Sequence, residues 1–284
     1  MNNFCIIANA DKDIDYRIAN QIRDYIIEHG GKCSIVKDRF KGTKQDGYID
    51  VEDIGEDVEA LIILGGDGTL IQAACDLHER KLLLLGVNLG TLGYLTEVET
   101  QHIEGALDRL FQDKYRIEKR LMMKCKVEAD TNHKGYIVLN DFVVSKSGEC
   151  RLITLDIYVN GEWIDTFLAD GVIVATPTGS TGYNLSAGGP VIAPEVQAMV
   201  ITPICPHTLN NRSMVVSAQD EVIIEVGQSK DHMKDEAELI NDGTSTRLLK
   251  TGDRVVISRA SVDAGIIKLS NTGFFKRVKD KLDK

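Results

Sequence analysis

The chain has 284 residues, a length that allows either two domains or one large one. Acidic residues outnumber basic residues by 43 to 33, and the formal charge of −10 argues against a nucleic-acid-binding protein. The cysteines show no CxxC spacing, which argues against a zinc site or a redox pair and predicts reduced thiols in a cytoplasmic protein. The apolar runs are too short to cross a membrane.

The first part of the chain alternates strand patterns with helix patterns. Short apolar runs predict buried strands, and apolar residues at spacings of three and four predict amphipathic helices. Such an alternation is typical of a doubly wound parallel sheet in an α/β domain. The predicted strands are 4–8, 32–36, 60–64 and 82–87, the predicted helices are 13–29, 70–78 and 101–111, and residues 38–56 are predicted to be a loop.

From residue 122 onward the pattern is almost entirely β. Asn160-Gly161 and Asp242-Gly243 are typical of tight hairpin turns. We therefore predict an α/β domain at 1–115 and an all-β, sandwich-like domain at 116–284, whose C-terminal helix, 273–282, packs back on the first domain. The predicted strands are 124–128, 136–145, 152–159, 162–167, 172–175, 199–204, 213–216, 221–226, 237–240, 254–258 and 266–269.

The sequence GGDGT, from Gly65 to Thr69, follows a buried strand and opens a helix. Glycines let backbone N–H groups approach a phosphate, and a helix N-terminus attracts negative charge. The carboxylate of Asp67 suits either binding of a phosphate-bound Mg²⁺ or acceptance of a proton from an attacking hydroxyl. The alternative is a glycine-rich turn in which Asp67 only caps the helix. The P-loop pattern GxxxxGK[ST] is absent, and Ile71 replaces the third glycine of a dinucleotide-binding fingerprint.

Four further features suit a nucleotide ligand. Tyr94 follows the fourth predicted strand, at the sheet edge where ligands bind, and is either a base-stacking ring or an ordinary aromatic. Asn140-Asp141 interrupts an apolar strand, so it either binds a ribose diol or an adenine edge, or marks a β-bulge. The stretch from Thr176 to Ser186 combines hydroxyls, glycines and one ring, which favours a ligand-binding loop over a solvated one. His207 is either a ligand contact or a structural histidine.

The order of these segments resembles the NAD kinase family. GGDGT alone is shared with related lipid kinases and phosphofructokinases, whereas the stretch 170–190 is specific to this family. The resemblance implies an N-terminal nucleotide- and phosphate-binding α/β domain and a C-terminal β-rich domain that binds NAD. The similar segments are GGDGT at 65–69, NLGTLGYLTE at 88–97, LNDFVV at 139–144, DGVIVATPTGSTGYNLSAGGPVIAP at 170–194 and ITPICPHTLNNRSMVV at 201–216.

This resemblance implies a kinase that transfers the γ-phosphate of ATP to the 2′-hydroxyl of the adenosine ribose of NAD, producing NADP. Asp67 is the implied proton acceptor, and Mg²⁺ is expected to arrive with ATP rather than on protein ligands. The family also implies a homo-oligomer, a dimer or a tetramer. The implied binding residues are Gly65, Gly66, Gly68, Thr69, Tyr94, Asn140, Asp141, Arg151, Asp170, Thr178, Thr181, Gly182, Tyr183, Asn184, Leu185, Ser186 and His207.

Two other functions stay open on the sequence alone. A lipid kinase of the same superfamily would need an apolar pocket for acyl chains, and the polar stretch 176–186 argues against one. A non-catalytic NAD-binding sensor would have no use for a carboxylate such as Asp67 facing phosphates. Asp141 departs from the family pattern, since it stands in the place of a glutamate that is one methylene longer.

Overall fold

The computed structural model describes residues 1–9, 11–37, 49, 51–90, 93–130, 135–148, 151–207, 212–228, 236–270 and 272–283. The chain forms two compact units, Met1–Arg120 with Val262–Lys284, and Leu121–Ser261. The first unit combines helices with parallel strands and the second is antiparallel, so the predicted fold class is confirmed. Among the described helices, none is long and apolar enough to span a bilayer.

The first unit alternates strands and helices. Its elements are β1 (Asn3–Ala8), α1 (Arg17–Glu28), β2 (Lys32–Lys37), β3 (Ala60–Gly65), α2 (Asp67–Asp76), β4 (Leu83–Asn88), β5 (Val98–Glu99), α3 (Ile103–Phe111), the end of β17 (Arg254–Lys268) and α5 (Phe274–Leu282). The strands β2, β1, β3 and β4 form a parallel sheet in that order, and β5 and β17 both pair with β4. Every residue of β3 is buried, which is typical of a central parallel strand.

The strand order creates a topological switch point between β1 and β3. The strands β1 and β3 are neighbours in the sheet. The strand that follows β1 in the chain, β2, pairs with the outer side of β1, and the strand that follows β3, β4, pairs with the opposite, outer side of β3. The loops that follow β1 and β3 therefore diverge, and ligands of open α/β sheets bind at such a switch point, beyond the carboxyl ends of the strands. Gly65 and Gly66 lie at this position, directly before α2.

Two helix boundaries in the first unit differ from the prediction. The helix predicted over 13–29 begins only at Arg17, because a short 3₁₀ turn with a left-handed Asp15 precedes it. The helix predicted over 70–78 begins at Asp67, so the GGDGT sequence supplies its first turn. In the predicted loop 38–56, residues 38–48 and 50 lie outside the described residues, and Val51–Asp53 forms a 3₁₀ turn.

The second unit contains two sets of antiparallel strands around an apolar core. Its elements are β6 (Arg116–Val127), β7 (Tyr136–Val138), β8 (Asp141–Lys146), β9 (Ile153–Val159), β10 (Glu162–Ala169), β11 (Gly171–Ala175), α4 (Tyr183–Ser186), β12 (Ala198–Ile204), β13 (Met214–Ser217), β14 (Val222–Val226), β15 (Glu236–Asn241), β16 (Thr244–Lys250) and the start of β17. One sheet has the order β13-β12-β11-β8-β15-β16, and a second set has the order β10-β9-β14-β17. Alternate apolar side chains from both sets form one buried cluster, as in a β-sandwich.

Both predicted hairpin turns are present, but three strand or loop predictions are wrong. The predicted strand 136–145 is two strands, β7 and β8, interrupted at Leu139 and Asn140. The predicted strands 254–258 and 266–269 are one continuous strand, β17. The stretch 176–186 is not a loop throughout, because hydrogen bonds within it and to distant residues such as Leu139 support a 3₁₀ turn, Gly179–Thr181, followed by α4.

Candidate functional site

The GGDGT sequence forms an open helix N-terminus. The first hydrogen bond of α2 runs from the N–H of Leu70 to the carbonyl of Gly66, so the amides before Leu70 point out of the helix end. A Cβ placed on Gly68 would meet no atom of the described residues within 4 Å, so none of them packs against this side of the first turn. This end of α2 suits a phosphate group, because the helix dipole and the free amides both favour an anion.

The carboxylate of Asp67 binds a neighbouring backbone segment instead of capping its own helix. Its Oδ1 accepts hydrogen bonds from the N–H of Leu95 at 3.1 Å, the N–H of Thr96 at 3.0 Å and the hydroxyl of Thr96 at 3.1 Å. Its Oδ2 accepts one hydrogen bond, from the N–H of Tyr94 at 2.6 Å. A carboxylate oxygen has about two lone pairs, so the donors among the described residues fill Oδ1 and leave one acceptor position on Oδ2.

Gly93 to Thr96, called here the Asp67-binding segment, depends on a glycine at its start. A Cβ on Gly93 would overlap the carboxylate of Asp67, so a larger residue would push the segment away. The N–H of Gly93 also donates to the hydroxyl of Thr96 at 3.2 Å, which closes the segment into a tight turn. The sequence contains this signal in the glycines at 90 and 93, but Thr91 and Leu92 lie outside the described residues.

Lys12 is a candidate residue that the sequence reasoning missed. Its Nζ lies 3.5 Å from the position that a Cβ on Gly66 would occupy. The carbonyl and side chain of Asn9 accept the N–H of Lys12 at 3.0 and 3.2 Å, and buried Asp13 fixes the same loop to α1 by accepting the N–H of Ile18 at 2.9 Å. An exposed lysine has no sequence signal of its own, and only the switch-point geometry brings it beside the GGDGT turn.

Tyr94 lies at the same edge of the first unit. The ammonium of Lys281, in α5, lies 4.0 Å from the centre of the Tyr94 ring, which is a cation–π contact. Burial raises the pKa of the Tyr94 hydroxyl, and the charge of Asp67 adds to this effect. The structure therefore places Tyr94 beside Asp67, with one ring face covered by a lysine.

In the second unit, a bend between β7 and β8 holds the predicted pair Asn140-Asp141. The carboxylate of Asp242 accepts the N–H of Leu139 at 2.8 Å, of Asn140 at 2.9 Å and of Asp141 at 3.0 Å. Asp242 was interpreted from the sequence only as a hairpin-turn residue, and its left-handed backbone, with φ of 43°, fits that role. The structure adds a second role, because the turn carboxylate fixes the bend.

Asp141 is a buried carboxyl group with a raised pKa. Burial is the main cause and the charge of Asp242 is the second, and together they raise the pKa of Asp141 to about 7. No protein donor bonds to its carboxylate within the part of the chain that is described. Asp141 starts β8, which lies between β11 and β15, so the pair does not mark a bulge at the sheet edge.

The stretch from Thr176 to Ser186 packs directly against this bend. The N–H of Thr176 donates to the carbonyl of Asn140 at 2.8 Å, and its hydroxyl donates to the carbonyl of Leu139 at 2.6 Å. A Cβ on Gly179 would overlap the backbone carbonyl of Asn140, so glycine permits the close approach. The structure thus brings two sequence-predicted segments together in one unit.

Several polar side chains of this stretch are used inside the protein. Asn184 donates to the carbonyls of Ser180 and Pro190, and accepts a hydrogen bond from the hydroxyl of Thr202 at 2.7 Å. Both of its N–H groups are therefore used inside the protein, and the side chain is fully buried, so it is not available as a hydrogen-bond donor to a ligand. Thr178 is buried, Thr181 and Leu185 are half-buried, and Gly182, Tyr183 and Ser186 are exposed.

Tyr183 presents its ring to solvent, with 47% of the residue exposed. Burial and then the nearby groups Cys205, Asp170 and Asp141 raise the pKa of its hydroxyl, so the ring lies in the same neighbourhood as both aspartates. An exposed aromatic ring near a buried carboxyl group can bind a flat base next to a diol.

The remaining predicted residues differ in how they are placed. Asp170 forms an ion pair with Lys146 at 2.5 Å, a partner that no sequence pattern indicated. His207 is exposed, and its N–H donates to the carbonyl of Leu168 at 2.8 Å. Arg151 is half-buried and lies two residues before β9. Across the described ranges, no group of three or more His, Cys, Asp or Glu side chains could hold a metal ion.

Comparison with known proteins identifies a family. A model of the ATP-NAD kinase N-terminal domain matches residues 4–115, and a model of the ATP-NAD kinase C-terminal domain matches residues 139–269. The chain is 42% identical over 285 residues to the NAD kinase of Lachnoclostridium phytofermentans, with 99% of each chain covered. It is 39% identical over 293 residues to the NAD kinase of Lachnospira eligens, with 99% of this chain and 100% of that chain covered.

Two solved structures share the fold. Yeast NADH kinase complexed with NADH matches with a TM-score of 0.79 and 21% identity, covering 99% of this chain and 88% of that chain. An NAD kinase from Archaeoglobus fulgidus in complex with ATP matches with a TM-score of 0.74 and 22% identity, covering 100% of this chain and 99% of that chain.

Proposed function

The chain belongs to the NAD kinase family, and from this premise we propose how its residues carry out the ATP-dependent phosphorylation of NAD. The observation that carries the proposal is the carboxylate of Asp67, which lies in the first turn of α2 and whose Oδ2 accepts a single hydrogen bond from the described residues. In our proposal the 2′-hydroxyl of the adenosine ribose of NAD donates a hydrogen bond to Oδ2 of Asp67. The product is then NADP.

We assign ATP to the first unit. The backbone amides at the start of α2, from Gly66 to Gly68, would bind its phosphates, and the ammonium of Lys12 would add a positive charge beside them. Mg²⁺ bound to these phosphates would neutralise part of their charge.

We assign the adenosine part of NAD to the second unit. Asp141 and the side-chain amide of Asn140 would bind ribose hydroxyls or the adenine edge, and Tyr183 would stack on the base. Thr178 and Asn184, which the family resemblance also implies, are buried and would act through the backbone shape they maintain. Asp170, Arg151 and His207 remain proposed contacts.

The chemistry expected of Asp67 is positioning followed by late proton acceptance. In phosphoryl transfer the transition state is loose, so the attacking hydroxyl loses its proton only when the new P–O bond is well advanced. The N–H groups of the Asp67-binding segment fix the orientation of the carboxylate, which suits the positioning of an attacking hydroxyl. The 2′-oxygen bonds to the γ-phosphorus, the bond from phosphorus to the β–γ bridging oxygen breaks, ADP leaves, and the proton passes to Asp67.

Purified protein mixed with NAD and Mg-ATP tests this function, with NADP detected by an NADP-specific dehydrogenase. We expect NADP to form, and we expect Asp67→Asn to lower kcat by about 10²–10⁴-fold, the usual range for a general base, while NAD affinity changes little. A parallel reaction offers a lipid alcohol in place of NAD, and phosphorylation of that lipid without NADP formation in the first reaction would indicate a lipid kinase. NAD binding without NADP formation in the wild-type protein would indicate a sensor.

We further propose a cytoplasmic homo-oligomer, either a dimer or a tetramer. Free thiols at Cys5, Cys33 and Cys125 support a reducing compartment. The edge strand β10 exposes Trp163 and Leu168, and exposed apolar side chains on an edge strand suit contact with a second copy. Light scattering on the purified protein would determine the oligomeric state.

A further inference from the structure

Lys268 is buried at the end of β17, within the first unit. Only 1% of the residue is exposed, which is rare for a lysine without partners. Its Nζ donates a hydrogen bond to the carbonyl of Leu95 at 3.1 Å and lies 3.5 Å from Oε2 of Glu97. The ammonium group is therefore placed against the peptide backbone, not against solvent.

The contact with Leu95 leads directly to Asp67. The carbonyl of Leu95 binds Lys268, and the N–H of the same residue donates to Oδ1 of Asp67 at 3.1 Å. The next residue, Thr96, donates to Asp67 through both its N–H and its hydroxyl. Lys268 thus holds the Asp67-binding segment from the side opposite to the carboxylate.

Glu97 anchors the end of the same segment and does not depend on Lys268 alone. Its carboxylate accepts hydrogen bonds from the N–H of Leu269, the N–H of Ser270 at 3.0 Å and the guanidinium of Arg277 at 2.6 Å. Removal of the lysine would leave Glu97 with a positive partner and two backbone donors. The carbonyl of Leu95, by contrast, would lose its hydrogen-bond donor.

We propose that Lys268 is a positioning residue for the phosphoryl transfer: its ammonium fixes the carbonyl of Leu95 and thereby the amides that orient the Asp67 carboxylate. This inference rests on the proposed role of Asp67. Lys268 does not touch the reacting groups, and it acts through Leu95. A displacement of about 1 Å at a reacting group can cost about 10²-fold in rate, so a shift of this segment would affect kcat.

The charge on Lys268 makes this role dependent on pH. Burial lowers the pKa of Lys268 to about 8, while the charged groups that face it are Glu97, Arg277, Arg120 and Glu118. Above this pH the neutral amine is a weaker donor to Leu95 and no longer attracts Glu97. We therefore expect kcat to fall as the pH rises through about 8. An arginine does not lose its proton in this range, so Lys268→Arg should remove that fall.

The test compares Lys268→Met and Lys268→Arg with wild type and with Lys276→Met, an exposed lysine on α5. We expect Lys268→Met to lower kcat by about 10- to 100-fold, with the KM values for NAD and ATP changed by less than about threefold. We expect Lys268→Arg to recover most of the rate and to keep it above pH 8. Lys276→Met should behave like wild type.

A kcat of Lys268→Met equal to that of Lys276→Met would overturn the inference, as would a loss of rate that only follows a lower Tm. If Lys268→Met does not fold, the pH dependence of kcat is compared between wild type and Lys268→Arg. The same fall of kcat above about pH 8 in both proteins would exclude Lys268 as its cause and overturn the proposal. Absence of NADP formation by wild type would instead overturn the proposed function itself.

Discussion

We predict that the ionised carboxyl group of Asp141 lowers the stability of the folded protein, and that the same group binds the substrate. The substitution that reveals this cost is Asp141→Asn, which keeps the shape of the side chain and removes the charge. Asp141 is 6% exposed, lies near Asp242, and has no protein donor in the described parts of the chain. Its ionised form is therefore unfavourable in the folded protein without ligand.

The size of the cost follows from the pKa. In the unfolded chain Asp141 ionises near its ordinary value of 3.8, whereas in the folded protein its pKa is about 7. Between these two pH values the folded state binds one proton more, so stability falls as the pH rises, and the full cost is present above about pH 7. At 1.36 kcal/mol for each pKa unit, the difference corresponds to about 4 kcal/mol.

Thermal unfolding across a pH series measures this effect. At pH 4 the Asp141→Asn variant and wild type should have similar Tm values, because wild-type Asp141 is protonated. At pH 8 the variant should melt about 10 °C higher, since about 4 kcal/mol corresponds to roughly that shift in a unit of this size. Glu162→Gln, an exposed carboxylate in the same unit, is the matched control and should show no such trend.

NAD affinity supplies the second half of the prediction. Ribose hydroxyls that donate to Asp141 favour its ionised form, so NAD should bind more tightly as the pH rises through about 7, and Asp141→Asn should bind it weakly at every pH. A Tm difference that stays constant from pH 4 to pH 8 would refute the reasoning. So would a stabilised variant with unchanged NAD affinity, because Asp141 would then have no part in binding.

Substitutions at Tyr183, Lys12 and Asp141 test the site further. Tyr183→Ala should weaken NAD binding by about 1–3 kcal/mol, the value of aromatic–base stacking, and should change Tm little because the ring is exposed. Tyr183→Phe should leave NAD binding nearly unchanged. Calorimetric titration with a parallel thermal melt separates the effect on NAD affinity from the effect on Tm. Lys12→Met should raise the KM for ATP by about tenfold and leave that for NAD unchanged, as expected for a lysine that contacts phosphate, with exposed Lys279→Met as the control in steady-state assays. Asp141→Glu should keep NADP formation, since it restores the residue of the family pattern. A higher KM for NAD in this variant would show that the buried site has no room for the extra methylene.

The fold class could be predicted because strand and helix patterns depend on local sequence. The central strands of the first unit are apolar on both faces, and the hairpin turns at Asn160 and Asp242 have a distinct local signature. The continuous strand β17 could not be predicted, since its polar middle interrupts the apolar pattern of its two ends. The helical turns in 176–186 depend on hydrogen bonds such as that from Thr176 to Leu139, which lies 37 residues earlier.

The candidate site shows the same limit. GGDGT could be interpreted as a phosphate-binding turn because its glycines and its helix are adjacent in sequence. The sequence could not indicate the roles of Lys12, Asp242 and Lys268. Each of them contacts a residue at least 54 positions away along the chain. Such contacts depend on strand order and register, which the sequence patterns do not specify.

The first unit is built from both ends of the polypeptide, Met1–Arg120 and Val262–Lys284. During synthesis, the ribosome therefore releases every residue of Leu121–Ser261 before it releases the strand end that pairs with β4 and carries Lys268. We expect the second unit to fold first on the nascent chain, although its first residue, Leu121, is synthesised after the first 120 residues of the first unit. Until Lys268 emerges, the carbonyl of Leu95 has no ammonium to bind, so a protein truncated after Ser261 should lack an ordered Asp67 carboxylate.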